Sequence, residues 1–523
     1  MGEISGFTRQ FLLKSVKSPA GASEEVDPLD ITRILPLLSP CETNRQAAGP
    51  ITGLGYNSKT VKPGELFFCL RGNLKDGHDF AGEAVAQGAT ALVVEEFLPL
   101  PVLQVRVADS RTALSRAGRL YYGDPAARLG LAGVTGTNGK TTTTFFLRAI
   151  LKELHRPIGL IGTVFSQFGG GPEPSSLTTP ESLDLWRLLA RAAEDGCDWV
   201  VMEVSSHALA MGRVEPSDFD IAVVTNITRD HFEYHGTYEH YRQSKERLVR
   251  CLSPERKAGR PKAAVLNADN PAAAALSPAA GVPVITYGLA QPADVRATEV
   301  ETRAHGSRFL LHLPGTTPTP VRLPLPGLFN VSNALAAAAA GWAAGVPLTA
   351  IAGGLEGCSQ VPGRTEAIDE GQPFQVIVDF AHNPDALAKI VTLRPDQPHG
   401  RTILVFGAEG GKDRGKRPQM GEAARGADFA IVTSDNIPRE EPVDVAREVA
   451  AGLGGHPHEI ILDRREAIEQ ALRMARPGDL VIVAGRGHEQ TWVYEGRRIA
   501  FDDRAVIREI LRGLRKGMVY WGE

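Results

Sequence analysis

The chain has 523 residues, a length that suits two to four domains rather than one. Hydrophobic residues make up 43% and charged residues 23%, as in ordinary globular proteins, and 57 Lys and Arg nearly cancel 61 Asp and Glu to leave a formal charge of −4. That balance lacks the basic excess of a nucleic-acid binder, and no apolar run reaches the roughly 18 residues needed to span a bilayer. Cys41, Cys69, Cys197, Cys251 and Cys358 are scattered, odd in number and never paired as C-x-x-C, which argues against a disulfide framework and a zinc site. The opening stretch "MGEISGFTRQFLLKSVKSPAG" lacks the apolar core of a signal peptide, so a cytosolic protein is expected.

Three regions follow along the chain, set at 1–125, 126–361 and 362–523. In the first, "SPAGASEEVDP" reads as a loop, "ITGLGYNSKTVKPGELFFCLRGNLKDGHDF" as strands and turns, and "GATALVVEE" as a turn into a buried strand. "YYGDPAARLG" carries Gly, Asp and Pro and marks a boundary. The second region alternates helical stretches with "LGLAGVTG", "CDWVVMEVSS", "FDIAVVTNIT" and "KAAVLNAD", the pattern of parallel strands buried on both faces with function at their C-terminal ends. "NVSNALAAAAAGWAAG" predicts an alanine-rich helix starting near Asn330 or Ser332, both good caps. The third region, from "VPGRTEAI", repeats the pattern in "FQVIVDFAH", "RTILVFGAEGG", "ADFAIVTSDN" and "DLVIVAGRGHE", a Rossmann-like α/β domain. The expected fold class is α/β in three domains, with mostly parallel sheets.

"GVTGTNGKTTTTFFLRAIL" places a glycine-bearing loop between a strand and a helix. It departs from G-x-x-x-x-G-K-[ST], because Val134 stands where the first glycine belongs. The physical parts of a phosphate cradle remain. Gly136 and Gly139 let the backbone N–H groups of Gly136, Thr137, Asn138, Gly139, Lys140, Thr141 and Thr142 curve around an anion at a helix N-terminus. Lys140 reaches β- and γ-phosphates, and the Thr141 hydroxyl suits Mg²⁺. An ordinary strand–helix turn is the alternative, and Lys-Thr at the helix start favours the phosphate loop.

Other predicted strand ends carry Thr178 and Thr179 in "LTTPES", Glu203, Ser205 and His207 in "MEVSSHAL", and Asp230, His231 and Lys245 in "TNITRDHFEYHGTYEHYRQSKERL". A carboxylate beside the loop suits magnesium, which prefers hard oxygen. Singly, Glu203 reads equally as a helix-capping carboxylate and His231 as a surface histidine, and Lys245 alone reads as a solvated lysine.

With "TGTNGKTTT", "TTP", "MEVSSHAL", "TNITRDHFEYHGT", "YRQSK", "GLFNVSNALAA", "VPGR", "DFAHNPDAL", "GKRPQMG", "GRGHE" and "FDDR" in order over nearly its whole length, the chain resembles the Mur ligase family. "TRDH…YHGT" points to the MurE type within it. The resemblance implies a UDP-binding N-terminal domain, a central ATP-binding domain and a C-terminal domain that brings in an amino acid. It implies ATP-driven amide formation in peptidoglycan synthesis: the carboxylate of a UDP-N-acetylmuramoyl dipeptide becomes an acyl phosphate, and a diamino acid's amine displaces phosphate. Lys140 and Mg²⁺ would stabilise the converging anions.

Carried over residue by residue, Thr141 and Glu203 match the first magnesium site and His231 a second metal-site ligand. Lys245 matches the lysine that the family carbamylates. Asn330 and Asn333 match the segment that approaches the adenine. Arg364, Asp379 and His382 match residues that close over the nucleotide. Ser58, Thr178, Thr179, Ser205 and Arg213 match positions that hold the UDP-muramoyl dipeptide. For the amino acid, Asp435, Asn436 and Arg439 fall in "SDNIPRE", where the family's diaminopimelate motif is Asp-Asn-Pro-Arg and Ile437 is extra. Gly485 and Glu489 match contacts to the distal amino-carboxyl end, and Lys412 stands where the family has another arginine. "YNSK" and Met211 also depart from the family's usual substrate contacts. The expected amino acid is meso-2,6-diaminopimelate, with L-lysine or another diamino acid as the alternative and a folylpolyglutamate-synthase-like ligase as the remoter one. A monomer without membrane insertion is expected.

Overall fold

The structure, a computed structural model, describes residues 29–46, 49–72, 75–215, 217–255, 257–494 and 497–517. The loop expected at "SPAGASEEVDP" lies outside them. The chain divides into two compact units, one running to Ala113 with Leu120–Tyr122, the other comprising Leu114–Arg119 and everything from Gly123.

In the smaller unit, strands Gly53–Gly55, Glu65–Phe68, Ala91–Val94 and Leu103–Val107 run parallel, and Cys41–Thr43 closes one edge antiparallel. The predicted strand in "GATALVVEE" is Ala91–Val94, buried at every position. Its side chains alternate between faces, and Leu92 and Val94 pack with Val61, Phe67 and Ala84 on one of them.

Among the described residues the larger unit contains two large sheets and a two-stranded ribbon, Thr491–Tyr494 with Arg497–Ala500. The first has eleven strands, and its centre is parallel: Ile158–Ile161, Trp199–Glu203, Gly130–Thr135, Ile221–Val224, Ala263–Asn267 and Val284–Gly288 lie side by side. These include all four strands predicted for the second region. An antiparallel extension, Val295–Arg303, Gly306–His312 and Thr319–Leu323, completes one side. The second sheet sets Gln375–Asp379, Leu480–Ala484, Thr402–Phe406, Phe429–Val432 and His458–Ile460 in parallel, with Glu366–Ala367 antiparallel at the edge.

The helix Lys140–Lys152 opens on four threonines, which are weak helix formers. All four are buried, so tertiary packing rather than propensity holds this turn. The alanine-rich helix runs Leu328–Ala343, two residues earlier than the first expected cap. Its N-cap is Gly327, at φ +95°, and no side chain caps it. Asn330 is drawn inside the helix because its amide donates to Pro326 O (2.8 Å) and Thr365 Oγ1 (2.9 Å) instead. A helix apolar on all sides must be buried on all sides. Ala336–Ala340 are indeed fully covered within the core formed by the first sheet and helix Lys140–Lys152.

Candidate active site

The C-terminal ends of the parallel strands of the first sheet deliver the phosphate loop, Glu203 and the segment from Thr225 to one place. Gly136 has φ +150°, and a Cβ there would meet Thr225 Oγ1 at 1.8 Å. Gly139 has φ +89°, and a Cβ would meet Asn333 Oδ1 at 2.3 Å. Both glycines are therefore required by close approach as well as by backbone conformation. The loop is braced from the next strand: Thr137 N donates to Asn226 O (2.8 Å), Asn138 N to Asn226 Oδ1 (3.0 Å) and Thr225 Oγ1 to Asn138 O (2.6 Å). Thr137 Oγ1 also pairs with the Tyr241 hydroxyl at 2.9 Å.

Two lysines converge on one carbonyl. Lys140 Nζ donates to Gly136 O (2.8 Å) and Thr137 O (3.0 Å), and Lys245 Nζ donates to the same Gly136 O at 2.8 Å. Lys245 projects from helix Tyr238–Arg250, is buried, and lies 4.5 Å from the Tyr241 ring centroid. Burial lowers the pKa of both ammoniums. Lys140 pushes Lys245 further down, while Glu203 and Asp230 partly restore Lys140.

Glu203, at the end of its strand, is held at both oxygens. Thr163 N donates to Oε1 at 2.7 Å, while Thr163 Oγ1 (3.0 Å) and Thr141 Oγ1 (2.9 Å) donate to Oε2. The Thr163 hydroxyl also lies 3.1 Å from Thr178 Oγ1, whose own proton can complete that contact. Thr179 Oγ1 donates to Glu203 O and accepts from Ser205 N, and Arg213 donates to Thr179 O. The expected substrate residues of the central region thus form one connected strip.

His231 has a left-handed backbone, φ +56° and ψ +34°. That conformation costs a non-glycine residue about 1–2 kcal/mol. Its N–H donates to Asp230 Oδ1 at 3.0 Å, and its ring stands edge-on to His207 with centroids 4.8 Å apart. Burial pushes Asp230 up, but His231, His382 and Lys416 outweigh it and hold the carboxyl at about 2. Burial, with His231 and His235 nearby, holds His207 neutral at about 4.

The second sheet closes the other side. Arg364 donates to Thr141 Oγ1 at 3.2 Å, its guanidinium 4.2 Å from the Phe380 ring centroid. Asp379 accepts from Thr365 N and Ala381 N at 2.7 and 2.8 Å, and burial raises its pKa despite Arg364. Asn138 Nδ2 donates to Asp385 Oδ2 at 2.7 Å, and buried Asn383 donates to Asp230 Oδ2 at 3.2 Å. His382 Nδ1 lies 2.8 Å from Phe380 O, and burial holds it at about 4.

A cavity of about 870 Å³ runs between these walls. It is lined by Thr137, Asn138, Gly139, Lys140, Thr141 and Thr142 of the loop, by Glu203 and His231, by Asn330 and Asn333, and by Arg364, Asp379 and His382. Thr178, Thr179, Ser205, Arg213, Lys412, Asp435, Gly485 and Glu489 line it too. Gly136 and Lys245 lie one layer behind. Asn436 is spent on internal partners, donating to Glu489 Oε2 and accepting from Arg486 and Val493 N. Arg439 is exposed and does not line the cavity. The extra Ile437 is buried in the core of the second sheet, its N–H bound to Val493 O, which leaves Arg439 on the following surface turn. Ser58 belongs to the smaller unit, where its hydroxyl donates to Glu83 at 2.8 Å.

Sequence reading missed Thr163, Asn226 and Glu409, all tied to this site. The available signal was position: each follows shortly after a buried parallel strand, where ligand-facing residues accumulate.

Among the described residues no group of three or more His, Cys, Asp or Glu is arranged to hold a metal. Thr141 and Glu203 nevertheless present two hard oxygens beside the phosphate loop. That fits Mg²⁺, which keeps several waters and takes phosphate oxygens in place of a full protein cage.

Residues 134–341 match the Mur ligase middle domain, 363–487 the Mur ligase glutamate ligase domain, and 50–128 the Mur ligase family catalytic domain. The UDP-N-acetylmuramoyl-L-alanyl-D-glutamate–2,6-diaminopimelate ligase of Geobacillus thermodenitrificans is 45% identical over 88% of this chain and 95% of its own. A solved structure of a ligase of the same name is 31% identical, with a TM-score of 0.64 over 94% of this chain and all of that one. The MurF ligase of Thermotoga maritima in complex with ADP, 20% identical, shares the fold at a TM-score of 0.62 over 89% of this chain and 98% of that one. The chain belongs to the Mur ligase family.

Proposed function

We propose that this chain is an ATP-dependent ligase that adds meso-2,6-diaminopimelate to UDP-N-acetylmuramoyl-L-alanyl-D-glutamate in peptidoglycan synthesis. The observation that carries the reading is one cavity lined at once by a phosphate loop, the Thr141–Glu203 oxygen pair and the polar group Lys412, Asp435, Gly485 and Glu489. Its relatives' names supply the substrates. In this reading 1–125 holds the UDP end through Ser58, 126–361 binds ATP, and 362–523 brings in the amino acid.

The loop amides and Lys140 hold the β- and γ-phosphates, with Asn330 and Asn333 beside the nucleotide. Thr178, Thr179, Ser205 and Arg213 hold the dipeptide so that its D-glutamate carboxylate attacks the γ-phosphorus, breaking the bond to the β-phosphate oxygen and releasing ADP. The amine of the incoming amino acid then adds to the acyl carbon, loses its proton, and expels phosphate. Arg364, stacked on Phe380 and bonded to Thr141, brings a cation to the transferring phosphoryl group. Asp379 and His382 complete a wall that keeps water from the acyl phosphate. Magnesium, when bound by Thr141 and Glu203, supplies electrostatic neutralisation of the phosphate oxygens.

Lys245 suits carbamylation. Carbon dioxide adds to a neutral amine with loss of a proton, and burial beside Lys140 favours the neutral form. The product would turn a cation–cation repulsion into an ion pair with Lys140. With the imidazole of His231 it would offer a second pair of metal ligands, one a hard oxygen donor and the other a nitrogen. The reading includes a monomer in the cytoplasm. No helix among the described residues is long and apolar enough to cross a membrane.

One observation favours L-lysine as the amino acid instead: Arg439, the expected partner of a distal carboxylate, is exposed and off the cavity. Phosphate release with the UDP-muramoyl dipeptide and a panel of diamino acids decides. Release with diaminopimelate supports the first reading, release with lysine alone replaces it with the second, and no amino-acid-dependent release refutes both.

A further inference from the structure

Glu409 follows the strand Thr402–Phe406 and lines the cavity with Asp435, Glu489 and Lys412. No described residue donates a hydrogen bond to its carboxylate. Asp435 is 2% exposed, and its Oδ2 also has no hydrogen-bond partner among the described residues. That oxygen lies against the Cα of Gly485, where a Cβ would approach it to 2.7 Å. Asp435 Oδ1 is already occupied by Asn436 N at 2.7 Å, and Glu489 Oε2 by Asn436 Nδ2 at 2.9 Å.

The protein's own cations do not complete this group. Arg486 lies 3.7 Å from Asp435 and 3.5 Å from Glu489, fully buried, with Nη1 bonded to Asn436 Oδ1 and Nη2 to Thr491 O, so it donates a hydrogen bond to neither carboxylate. Lys416 is turned to His382 O at 3.2 Å. Lys412 lines the cavity but is exposed. Burial raises the pKa of Glu409 and Asp435 raises it further, a rise that Lys416, Lys412 and His231 offset only in part. A buried carboxylate oxygen without a hydrogen bond is costly, so the orphan Oδ2 of Asp435 beside the unbonded carboxylate of half-buried Glu409 points to a cationic donor from outside.

A diamino acid carries two amines. One must be neutral to attack the acyl carbon, and the other stays an ammonium that needs a counter-charge. We propose that Glu409, with the orphan oxygen of Asp435, seats the second, non-reacting ammonium of the amino-acid substrate and is the residue that excludes amino acids with a single amine. This rests on the proposed ligase reaction and adds to it a selectivity determinant at Glu409.

The test compares diaminopimelate with 2-aminopimelate, which lacks the second amine, in the wild type and in Glu409→Gln. A lost charge-assisted hydrogen bond is worth at least about ten-fold. Glu409→Gln should therefore raise the KM for diaminopimelate about ten-fold or more, with the KM for ATP within about two-fold. It should also cut the kcat/KM preference for diaminopimelate over 2-aminopimelate by a similar factor. Glu409→Asp, which keeps the charge, should retain most of that preference. An unchanged preference in Glu409→Gln overturns the proposal, as does a fall in kcat with the preference intact. Should the variant not fold, direct titration of the wild-type chain with both amino acids decides instead: tighter binding of diaminopimelate supports the proposal, and equal affinities overturn it. Absence of phosphate release with every diamino acid would instead refute the ligase reading.

Discussion

Lys140 and Lys245 donate to a single carbonyl oxygen, an arrangement two full ammoniums would resist. The carbamate reading resolves the conflict by giving Lys245 a negative charge, and it makes a sharp prediction. Lys245→Ala should lose about 100-fold or more in kcat, the scale of removing one charged group from a phosphoryl-transfer site, and added acetate or formate should restore part of it. Full activity without rescue would sink the carbamate role. Thr163 offers a second test, since it fixes both oxygens of Glu203. Thr163→Val keeps the backbone bond to Oε1 and removes the hydroxyl bond to Oε2. Steady-state assays should show about a ten-fold loss in kcat/KM for ATP, and magnesium half-saturation should move to higher concentration. No change in either would mean that Glu203 is held well enough without it.

The central parallel strands were legible because burial on both faces writes continuous runs of Val, Ile and Leu, and all eight runs singled out became strands in the two sheets of the larger unit. The antiparallel extension Val295–Leu323 was not, because its strands alternate buried with exposed residues and carry a register shift between Thr298 and Glu301. The alanine-rich helix was legible as a helix, but its start was not, because Asn330 looks like a cap and is used in a tertiary contact. Packing around that helix depends on small residues. A Cβ on Gly354, in helix Leu348–Gly357, would lie 2.5 Å from Ile150 Cα in helix Lys140–Lys152. Gly354→Val should therefore force the two helices apart and cost about 1–3 kcal/mol, read as a lower denaturant midpoint. An unchanged midpoint would show that the helices separate freely.

At the scale of the whole chain, the site joins residues that the sequence keeps far apart. Asn138 meets Asp385, and Arg364 meets Thr141, across more than 200 positions. Motifs identified the participants, but nothing local showed that Asn436 would be spent on Glu489 or that Glu409 would be left facing the cavity. That packing has a consequence for stability. Burial, the largest cause in each case, holds His207, His235 and His382 at about 4 and His488 at about 3. The unfolded chain protonates these imidazoles near 6.5. Between pH 6.5 and about 4 the unfolded state therefore binds protons that the folded state refuses, and stability must fall as pH falls through that window. Glu489 acts in the opposite sense, because burial and Asp435 raise it to about 7 from 4.5, so its contribution grows as pH drops from 7 to 4.5. Asp379, Glu409 and Glu65, which burial also raises, act with Glu489. Asp230 and Glu233, both held at about 2, act with the four histidines and together with them outnumber the raised carboxyls, so the net slope is positive. Each proton taken up on unfolding is worth about 1.4 kcal/mol per pH unit. Urea unfolding at a series of pH values should show the midpoint decreasing from pH 6.5 to 4.5. His488→Gln should make the decrease shallower, by up to that amount per pH unit. A midpoint that holds constant or rises on acidification would mean that these histidines take up protons within the folded chain.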